Sequence, residues 1–209
     1  MKAFRPADYE EKVGLLTDLQ TLEREGHIDL FYGDESGFSL LPVVPYGWQA
    51  ADRVLERPSR YSTRLNVLAW LSETGQLVSF TRQQSSDSAF VMECISTWAR
   101  GLTKETVLVL DNAPMHRSKA FTACLAHWQE QGLYVFFLPT YSPHLNKAEW
   151  LWRTMKYEWL DAAAYGSYRA LRQAVSDILA QFGQRYSIRF AQVNCQINSV
   201  WLLSLTLAI

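Results

Sequence analysis

The sequence predicts an α/β fold in which helices flank a mixed β-sheet. A strand hairpin lies in the first half of the chain, and strands and helices alternate after it. Apolar residues make up 48% of the 209 residues and charged residues 20%, a balance that supports a sizeable core and argues against disorder. The net charge is −1, so any binding of DNA requires clustered basic residues or a further segment.

Strands are predicted where apolar runs are bounded by turn residues. The first predicted strand covers residues 28–32 and ends at the turn Gly-Asp-Glu-Ser-Gly, residues 33–37. A second covers residues 38–44, where prolines limit its length. A long loop over 45–64 follows. The remaining predicted strands are the hairpin 65–71 and 77–81, centred on Glu73-Thr74-Gly75, and the two buried runs 106–110 and 133–138.

Helices are predicted where apolar residues recur at helical spacing. The first covers residues 8–25, with Asp8 and Glu11 resembling a capping box and Gly26 suited to end it. The others cover residues 90–98, 118–131, 146–160 and 167–182. On the helix 146–160, the spacing of Trp152, Met155 and Trp159 favours burial in the core over stacking on bases.

The cysteines and the termini indicate the cellular compartment in which the protein is expected. Cys94, Cys124 and Cys195 are odd in number and widely spaced, which indicates neither a disulfide framework nor a thiolate zinc site. The N-terminus lacks the apolar stretch of a signal peptide, and the apolar run at the C-terminus is too short to span a bilayer. We therefore expect a reducing cytosolic location and no membrane partner.

Three acidic residues occupy informative positions. Asp34 follows the first strand, Asp111 follows the strand 106–110, and Glu149 lies in the first turn of the helix 146–160. Ligands gather at the carboxyl ends of strands in open α/β sheets, so the two aspartates are expected to lie together. Clustered carboxylates repel one another and need a cation or a raised pKa. Oxygen ligands suit Mg²⁺ or Mn²⁺, and two such ions roughly 3.5–4 Å apart can drive phosphodiester chemistry.

Each acidic residue also has an ordinary structural interpretation. Asp34 lies in the segment Gly-Asp-Glu-Ser-Gly, whose residue types favour a turn. Asp111 begins the segment Asp-Asn-Ala-Pro, which also suits a turn at the end of a strand. Glu149 stands three residues after Asn146, as the acidic partner of a capping box does. Taken one at a time, these structural roles are the more economical interpretation.

Three segments together resemble the DDE transposases of the mariner superfamily, in particular the bacterial insertion sequence 630 branch. They are FYGDESGF at 31–38, VLDNAPMH at 109–116 and LPTYSPHLNKAE at 138–149. The resemblance runs from about residue 28 to residue 190. It implies a ribonuclease H-like fold and carries the catalytic, metal-binding triad onto Asp34, Asp111 and Glu149. Asp34 is expected to bridge two Mg²⁺ or Mn²⁺ ions, and the other two to bind one ion each.

The resemblance implies metal-dependent cleavage and transfer of DNA strands by the catalytic domain of an insertion-sequence transposase. Residues 1–27 would be an N-terminal helix and linker, residues 28–190 the catalytic domain, and residues 191–209 a tail of uncertain origin. Expected partners are double-stranded DNA, as transposon ends and target, and a second copy of the chain when assembled on DNA. The expected location is the bacterial cytosol, in association with the nucleoid.

The chain departs from the family in three respects, which leave alternatives open. Asn146-Lys147-Ala148-Glu149 stands where the family often has Asn-Pro-Ile-Glu, so preorganisation by proline is lost but the carboxylate is kept. The family's helix-turn-helix region would precede this chain, so a separate helix-turn-helix chain is an expected partner. The tail after Phe190 matches no family pattern. The alternatives are an inactive or domesticated remnant that binds DNA, or another ribonuclease H-like nuclease.

Basic and polar residues near these motifs are candidates for binding DNA. The best phosphate-binding patch lies in the loop 45–64, with a charged surface loop as the alternative; its members are Arg53, Arg57, Arg60 and Arg64. Asn112 and His116 would orient a phosphate or the carboxylate of Asp111. The alternative is that Asn112 forms an Asx-turn and that His116 lies in the first turn of a helix. Arg153 and Lys156 follow Glu149 at i+4 and i+7, where the alternative is a surface Glu149–Arg153 pair.

Overall fold

The computed structural model describes residues 7–41, 63–84 and 87–190. The strands are β1 (Asp29–Phe38), β2 (Leu65–Ser72), β3 (Leu77–Arg82), β4 (Thr106–Leu110) and β5 (Leu133–Phe137). The α-helices are α1 (Tyr9–Arg24), α2 (Ser88–Ala99), α3 (Lys119–Glu130), α4 (Ala148–Thr154) and α5 (Tyr168–Ala180). Within these described ranges, no helix is both long and apolar enough to cross a membrane.

The strands form a single five-stranded mixed sheet in the order β3-β2-β1-β4-β5. Strands β3, β2 and β1 are antiparallel neighbours, whereas β1, β4 and β5 run parallel. The predicted hairpin is confirmed, and Gly75 in its turn has a φ of +86°, which suits a residue without a Cβ. The predicted mixed sheet is therefore confirmed.

The predicted turn at residues 33–37 is wrong. These residues form the second half of β1 and pair with β2, with Asp34 opposite Ala69. The physical reason is that β2 is buried along its whole length and supplies an antiparallel partner for this glycine-containing segment. Gly33 fits because a Cβ there would lie 2.6 Å from Cδ2 of Leu110.

The predicted second strand at 38–44 is also wrong in the part that the structure describes. Phe38 is the last residue of β1, and Leu40 and Leu41 form a bend. Residues 42–62, which include most of the predicted loop and Arg53, Arg57 and Arg60, lie outside the described residues. The predicted tail at 191–209 lies outside them as well.

Alternating side chains of the sheet build two separate helical layers. On one face, Leu30, Tyr32 and Phe38 of β1 pack into clusters that contain residues of α1, α4 and α5. On the other face, Phe31 packs with residues of α2 and α3. Because Asp34 is in phase with Tyr32, its side chain lies on the α4 side of the sheet.

The helix ends show how local sequence sets the boundaries. Ser118 accepts a 3.2 Å hydrogen bond from the backbone N–H of Phe121, which begins α3 at the predicted place. The predicted capping box at Asp8 is not formed, because the Asp8 carboxylate instead pairs with Lys12 at 3.2 Å. The predicted helix 146–160 begins at Ala148 and continues after α4 as a π-helical turn, Met155–Trp159.

Candidate active site

The parallel pairing of β1 with β4 brings two of the predicted carboxylates to one level of the sheet. Tyr32 pairs with Val109, and Asp34 and Asp111 each lie two residues further along their strands. Asp111 follows the last residue of β4, as predicted, while Asp34 lies within β1 beyond this parallel pairing. Glu149 lies in the first turn of α4, which packs over β1.

Asp34 is the most enclosed of the three carboxylates. Its Oδ1 accepts a 2.8 Å hydrogen bond from the backbone N–H of Glu35, and its Oδ2 accepts a 2.9 Å bond from Nε1 of Trp152. Burial raises the pKa of Asp34 to about 7, and the negative charges of Glu149 and Asp111 add to that rise, against the two hydrogen bonds. Asp34 therefore lies near enough to Glu149 and to Asp111 for their charges to act on it.

Asp111 is held by His116. Nδ1 of His116 lies 2.9 Å from Oδ1 of Asp111, which also accepts a 3.2 Å hydrogen bond from the backbone N–H of Ala113. The hydrogen bond from His116 holds the pKa of Asp111 below its usual range. His116 is buried against Phe121, with ring centroids 5.5 Å apart. His116 thus orients Asp111 and also lies in a short 3₁₀ helix. Its two predicted roles, orienting Asp111 and forming a helical turn, are therefore both correct in part.

Asn112 has a structural contact in place of a contact with Asp111. Its Nδ2 donates a 3.0 Å hydrogen bond to the backbone carbonyl of Leu138, which joins the segments that follow β4 and β5. The buried Oδ1 atom of Asn112 has no hydrogen-bond partner among the residues that the structure describes.

Glu149 is not engaged in capping its helix. Asn146 takes that role, since its Oδ1 accepts a 3.1 Å hydrogen bond from the backbone N–H of Ala148. Its Nδ2 donates a 3.0 Å bond to the carbonyl of Gly33, directly before Asp34. Among the residues that the structure describes, the Glu149 carboxylate has no hydrogen-bond or ion-pair partner, and the expected surface pair with Arg153 is not formed. A carboxylate left unpaired beside Asp34 is suited to bind a ligand.

Two of the predicted basic residues lie near the carboxylates. Nζ of Lys156 donates a 2.6 Å hydrogen bond to Oγ of Ser36. Burial and then the charge of Arg64 lower the pKa of Lys156, while the charges of Glu149 and Asp34 oppose this, so Lys156 lies near both carboxylates and near Arg64. The guanidinium of Arg64 lies where a Cβ of Gly37 would stand. Arg153 is exposed on α4.

Sequence reasoning missed three contacts that organise this site. Trp152 was predicted only as a core residue; it is buried as expected, but it also donates to Asp34. Its position three residues after Glu149, on the same helical face, was the available signal. The bridge from Asn146 to Gly33 and the ion pair of Lys147 with Glu73 had no such signal, because their partners are distant in sequence.

The carboxylates have the right chemistry for a divalent cation, although their side chains stand apart from one another. In the described ranges, no three His, Cys, Asp or Glu side chains are already arranged as a metal site. Hydrogen bonds hold Asp34 and Asp111 in place, and like charges favour separation. Burial is the largest cause of the raised pKa of Asp34, and the charges of Glu149 and Asp111 add to it; a cation such as Mg²⁺ or Mn²⁺ bound there would favour the charged carboxylates.

The sheet order, the two helical layers and the carboxylates at one level of the sheet define a ribonuclease H-like fold. Residues 29–172 match the DDE superfamily endonuclease family, and the chain belongs to that family. No curated protein sequence matches the chain at a significant level.

Solved structures of the Mos1 transposase share this fold. The Mos1 strand transfer complex is 18% identical over 83% of this chain and 54% of that chain, with a TM-score of 0.57. The Mos1 mariner paired end complex with Mn is 17% identical over 82% of this chain and 54% of that chain, with a TM-score of 0.56. The catalytic domain of Mos1 mariner transposase is 16% identical over 82% of this chain and 80% of that chain, with a TM-score of 0.50. The chain thus spans about half of the Mos1 chains in those complexes.

Proposed function

We propose that this chain is the catalytic domain of a DNA transposase of the mariner superfamily, in its bacterial insertion sequence 630 branch. Its activity would be the metal-dependent cleavage of DNA strands and their transfer to a target. The observation that carries the proposal is geometric: Asp34 and Asp111 lie at one level of two adjacent parallel strands, and Glu149 lies on the helix that packs over β1, in a DDE superfamily endonuclease. A grouping of like charges has no structural benefit of its own, because like charges repel.

The proposed ligands of Mg²⁺ or Mn²⁺ are the carboxylates of Asp34, Asp111 and Glu149. Held by these carboxylates, two such ions would supply a lowered pKa for a water or a DNA 3′ hydroxyl and stabilisation of the departing oxygen. His116 holds the Asp111 carboxylate, and Trp152 orients that of Asp34. Both bonds fix ligands before any cation arrives, which limits the reorganisation needed for binding.

The proposed substrate is double-stranded DNA, whose phosphates would meet the positive charges beside the carboxylates. Lys156, which lies near Asp34 and Glu149, and Arg64, which lies near Lys156, are candidates, and Arg153 is exposed on α4. Arg53, Arg57 and Arg60 stay candidates on the strength of the sequence alone. With a net charge of −1 on the whole chain, we expect weak, strongly salt-dependent binding of DNA without sequence preference.

The proposed assembly is a homodimer on transposon ends in the bacterial cytosol. A separate chain that carries a helix-turn-helix segment is a further proposed partner. Support comes from Mos1, whose structures include a paired-end complex with the left transposon end. Because this chain spans about half of that Mos1 chain, recognition of the ends is proposed to need further protein.

Incubation with a DNA duplex tests the proposed function. The purified chain should cleave duplex DNA with Mn²⁺ or Mg²⁺ and lose that activity in excess chelator. Cleavage that persists in chelator would contradict the role of the metal. A preference for RNA–DNA hybrid would favour another ribonuclease H-like nuclease, and the absence of any cleavage would favour a DNA-binding remnant.

A further inference from the structure

A cluster of polar side chains lies beside the start of α4, on the same side of the sheet as Asp34. Lys147, the residue before α4, forms an ion pair with Glu73 in the turn between β2 and β3. Both side chains are only 23% exposed, so the pair is partly shielded from solvent and counter-ions. The pair joins two segments that are 74 positions apart in the sequence.

Aromatic rings limit the freedom of the Lys147 side chain. Its Nζ lies 5.5 Å from the centroid of the Tyr32 ring and 5.3 Å from that of Phe190, within the range of a cation–π contact. The hydroxyl of Tyr32 donates a 3.4 Å hydrogen bond to Glu73 and accepts a 2.8 Å bond from Nε2 of Gln20. The ammonium of Lys147 is thus held by groups from three different parts of the fold.

The charge balance of the cluster depends on Lys147. Glu23 of α1 is buried nearby, and burial together with the charge of Glu73 raises its pKa to about 7, while Lys147 lowers it. Lys147 thus pairs with Glu73, and its charge also acts on Glu23. Removal of its charge would leave Glu73 facing Glu23 without compensation.

The cluster lies directly before both segments that carry the proposed metal ligands. Lys147 precedes Glu149 by two residues, and Tyr32 precedes Asp34 by two residues. Asn146 precedes Lys147 and Gly33 follows Tyr32, so the hydrogen bond from Asn146 to Gly33 joins the same two segments. A shift of Lys147 would therefore move the first turn of α4 relative to β1.

We propose that Lys147 and Glu73 are positioning residues for the carboxylate of Glu149, which they place by fixing the start of α4 to the β2–β3 turn and to Tyr32. This inference rests on the proposed function, since it assigns a role relative to the metal ligands. In this proposal neither Lys147 nor Glu73 is a metal ligand or a contact to DNA. Their effect is on the position of α4 before any cation binds, and it can be measured in the metal-free protein.

The experiment compares Lys147→Met and Glu73→Gln with a matched control elsewhere in the sheet. Lys104 pairs with Asp29 at 2.9 Å at the opposite end of β1 from Asp34, and these side chains are somewhat more exposed, at 35% and 36%. Lys104→Met therefore also removes a partly shielded ion pair, but one far from α4. Two quantities are measured on each full chain: the dissociation constant of Mn²⁺, and hydrogen exchange of the amides at residues 148–151 without metal.

Lys147→Met and Glu73→Gln should raise the dissociation constant of Mn²⁺ about tenfold, the lower end of the usual effect of residues that orient metal ligands. Both should speed the exchange of the α4 amides. Lys104→Met should change neither quantity, and Lys147→Arg, which can still pair with Glu73, should stay close to the parent.

An unchanged dissociation constant in Lys147→Met, with the parent binding Mn²⁺, would overturn this inference and leave the proposed function standing. An equal rise in Lys104→Met would overturn it too, because the effect would then be general destabilisation. A parent chain that binds no Mn²⁺ would instead overturn the proposed function, and this inference with it.

Discussion

Nε1 of Trp152 donates a 2.9 Å hydrogen bond to Oδ2 of Asp34, which ties α4 directly to the strand that carries the most enclosed carboxylate. The Trp152 ring is buried and packs edge-on to Phe38, with centroids 6.3 Å apart. Because α4 also carries Glu149, this bond links the positions of two proposed metal ligands. Trp152 thus serves both the core and the candidate active site.

Trp152→Phe should raise the pKa of Asp34, because the indole hydrogen bond favours the charged form of the carboxyl. The pKa is read from carboxyl carbon resonances of the metal-free protein. Trp159→Phe is the control, since Trp159 packs with Phe182 and Tyr186 and not with Asp34. A pKa that is unchanged in Trp152→Phe would show that the bond does not form in solution.

The stability of the metal-free protein should fall as the pH rises from about 4 to about 7. Burial raises the pKa of Asp34 from 3.8 to about 7, so the folded state retains a proton that the unfolded chain releases. The stabilisation is fully present below the unfolded pKa and is lost as the pH passes the folded value. Each unit of difference is worth about 1.4 kcal/mol.

Asp34→Asn should reduce this pH dependence and raise the free energy of unfolding at pH 8, as measured by urea denaturation at a series of pH values. Glu23, whose pKa is also raised to about 7, should supply the slope that remains. An Asp34→Asn slope equal to that of the parent would mean that Asp34 is ionised in the folded state across this range.

Asn146→Ala should destabilise the protein by about 1–3 kcal/mol, because it removes two hydrogen bonds of a side chain that is only 3% exposed. Asn146→Asp should keep the bond from Ala148 but place a carboxylate against the carbonyl of Gly33. We therefore expect Asn146→Asp to be no more stable than Asn146→Ala at pH 8 in chemical denaturation. A near-parental stability of Asn146→Asp would contradict the bridge to Gly33.

Gly33→Ala should destabilise the protein by about 1–3 kcal/mol, the usual cost of overpacking. The new Cβ would lie 2.6 Å from Cδ2 of Leu110 and 3.1 Å from Cε3 of Trp70, both in the buried sheet. Gly14→Ala is the matched control, since nothing lies within 4 Å of its Cβ on the exposed side of α1, and it should stabilise by roughly 0.5–1 kcal/mol. Thermal denaturation of the two variants checks the opposite signs.

Much of the fold could be predicted because its elements have local signals. Buried strands such as β4 are continuous apolar runs, and α3 begins at a serine cap. The end of β1 could not be predicted, because Gly-Asp-Glu-Ser-Gly has turn chemistry and becomes a strand only through pairing with β2. The capping box at Asp8 failed because Lys12 competes for the carboxylate.

In the candidate site, too, features with a local sequence signal could be predicted and contacts between distant segments could not. The motif around Asp111 and the position of Glu149 at the start of α4 could be predicted from the sequence, as could the nearness of His116 to Asp111. The partners that hold them, Trp152 for Asp34 and Glu73 for Lys147, come from segments up to 118 positions apart. The helical spacing of Trp152 from Glu149 was the one signal for the contact with Asp34, and the contact of Lys147 with the β2–β3 turn had none.

The central claim is that Asp34, Asp111 and Glu149 bind a catalytic metal, and the most direct test is DNA cleavage by Glu149→Gln with Mn²⁺. Glu149 does not cap α4, so this variant should keep its stability within about 1 kcal/mol of the parent. Loss of the charge should nevertheless abolish cleavage, since a neutral amide is a poor ligand for a hard cation. Glu35→Gln is the control, because successive side chains of β1 point to opposite faces and Glu35 faces away from Asp34. We expect cleavage by the parent and by Glu35→Gln, and none by Glu149→Gln; equal cleavage by Glu149→Gln and the parent would contradict the account.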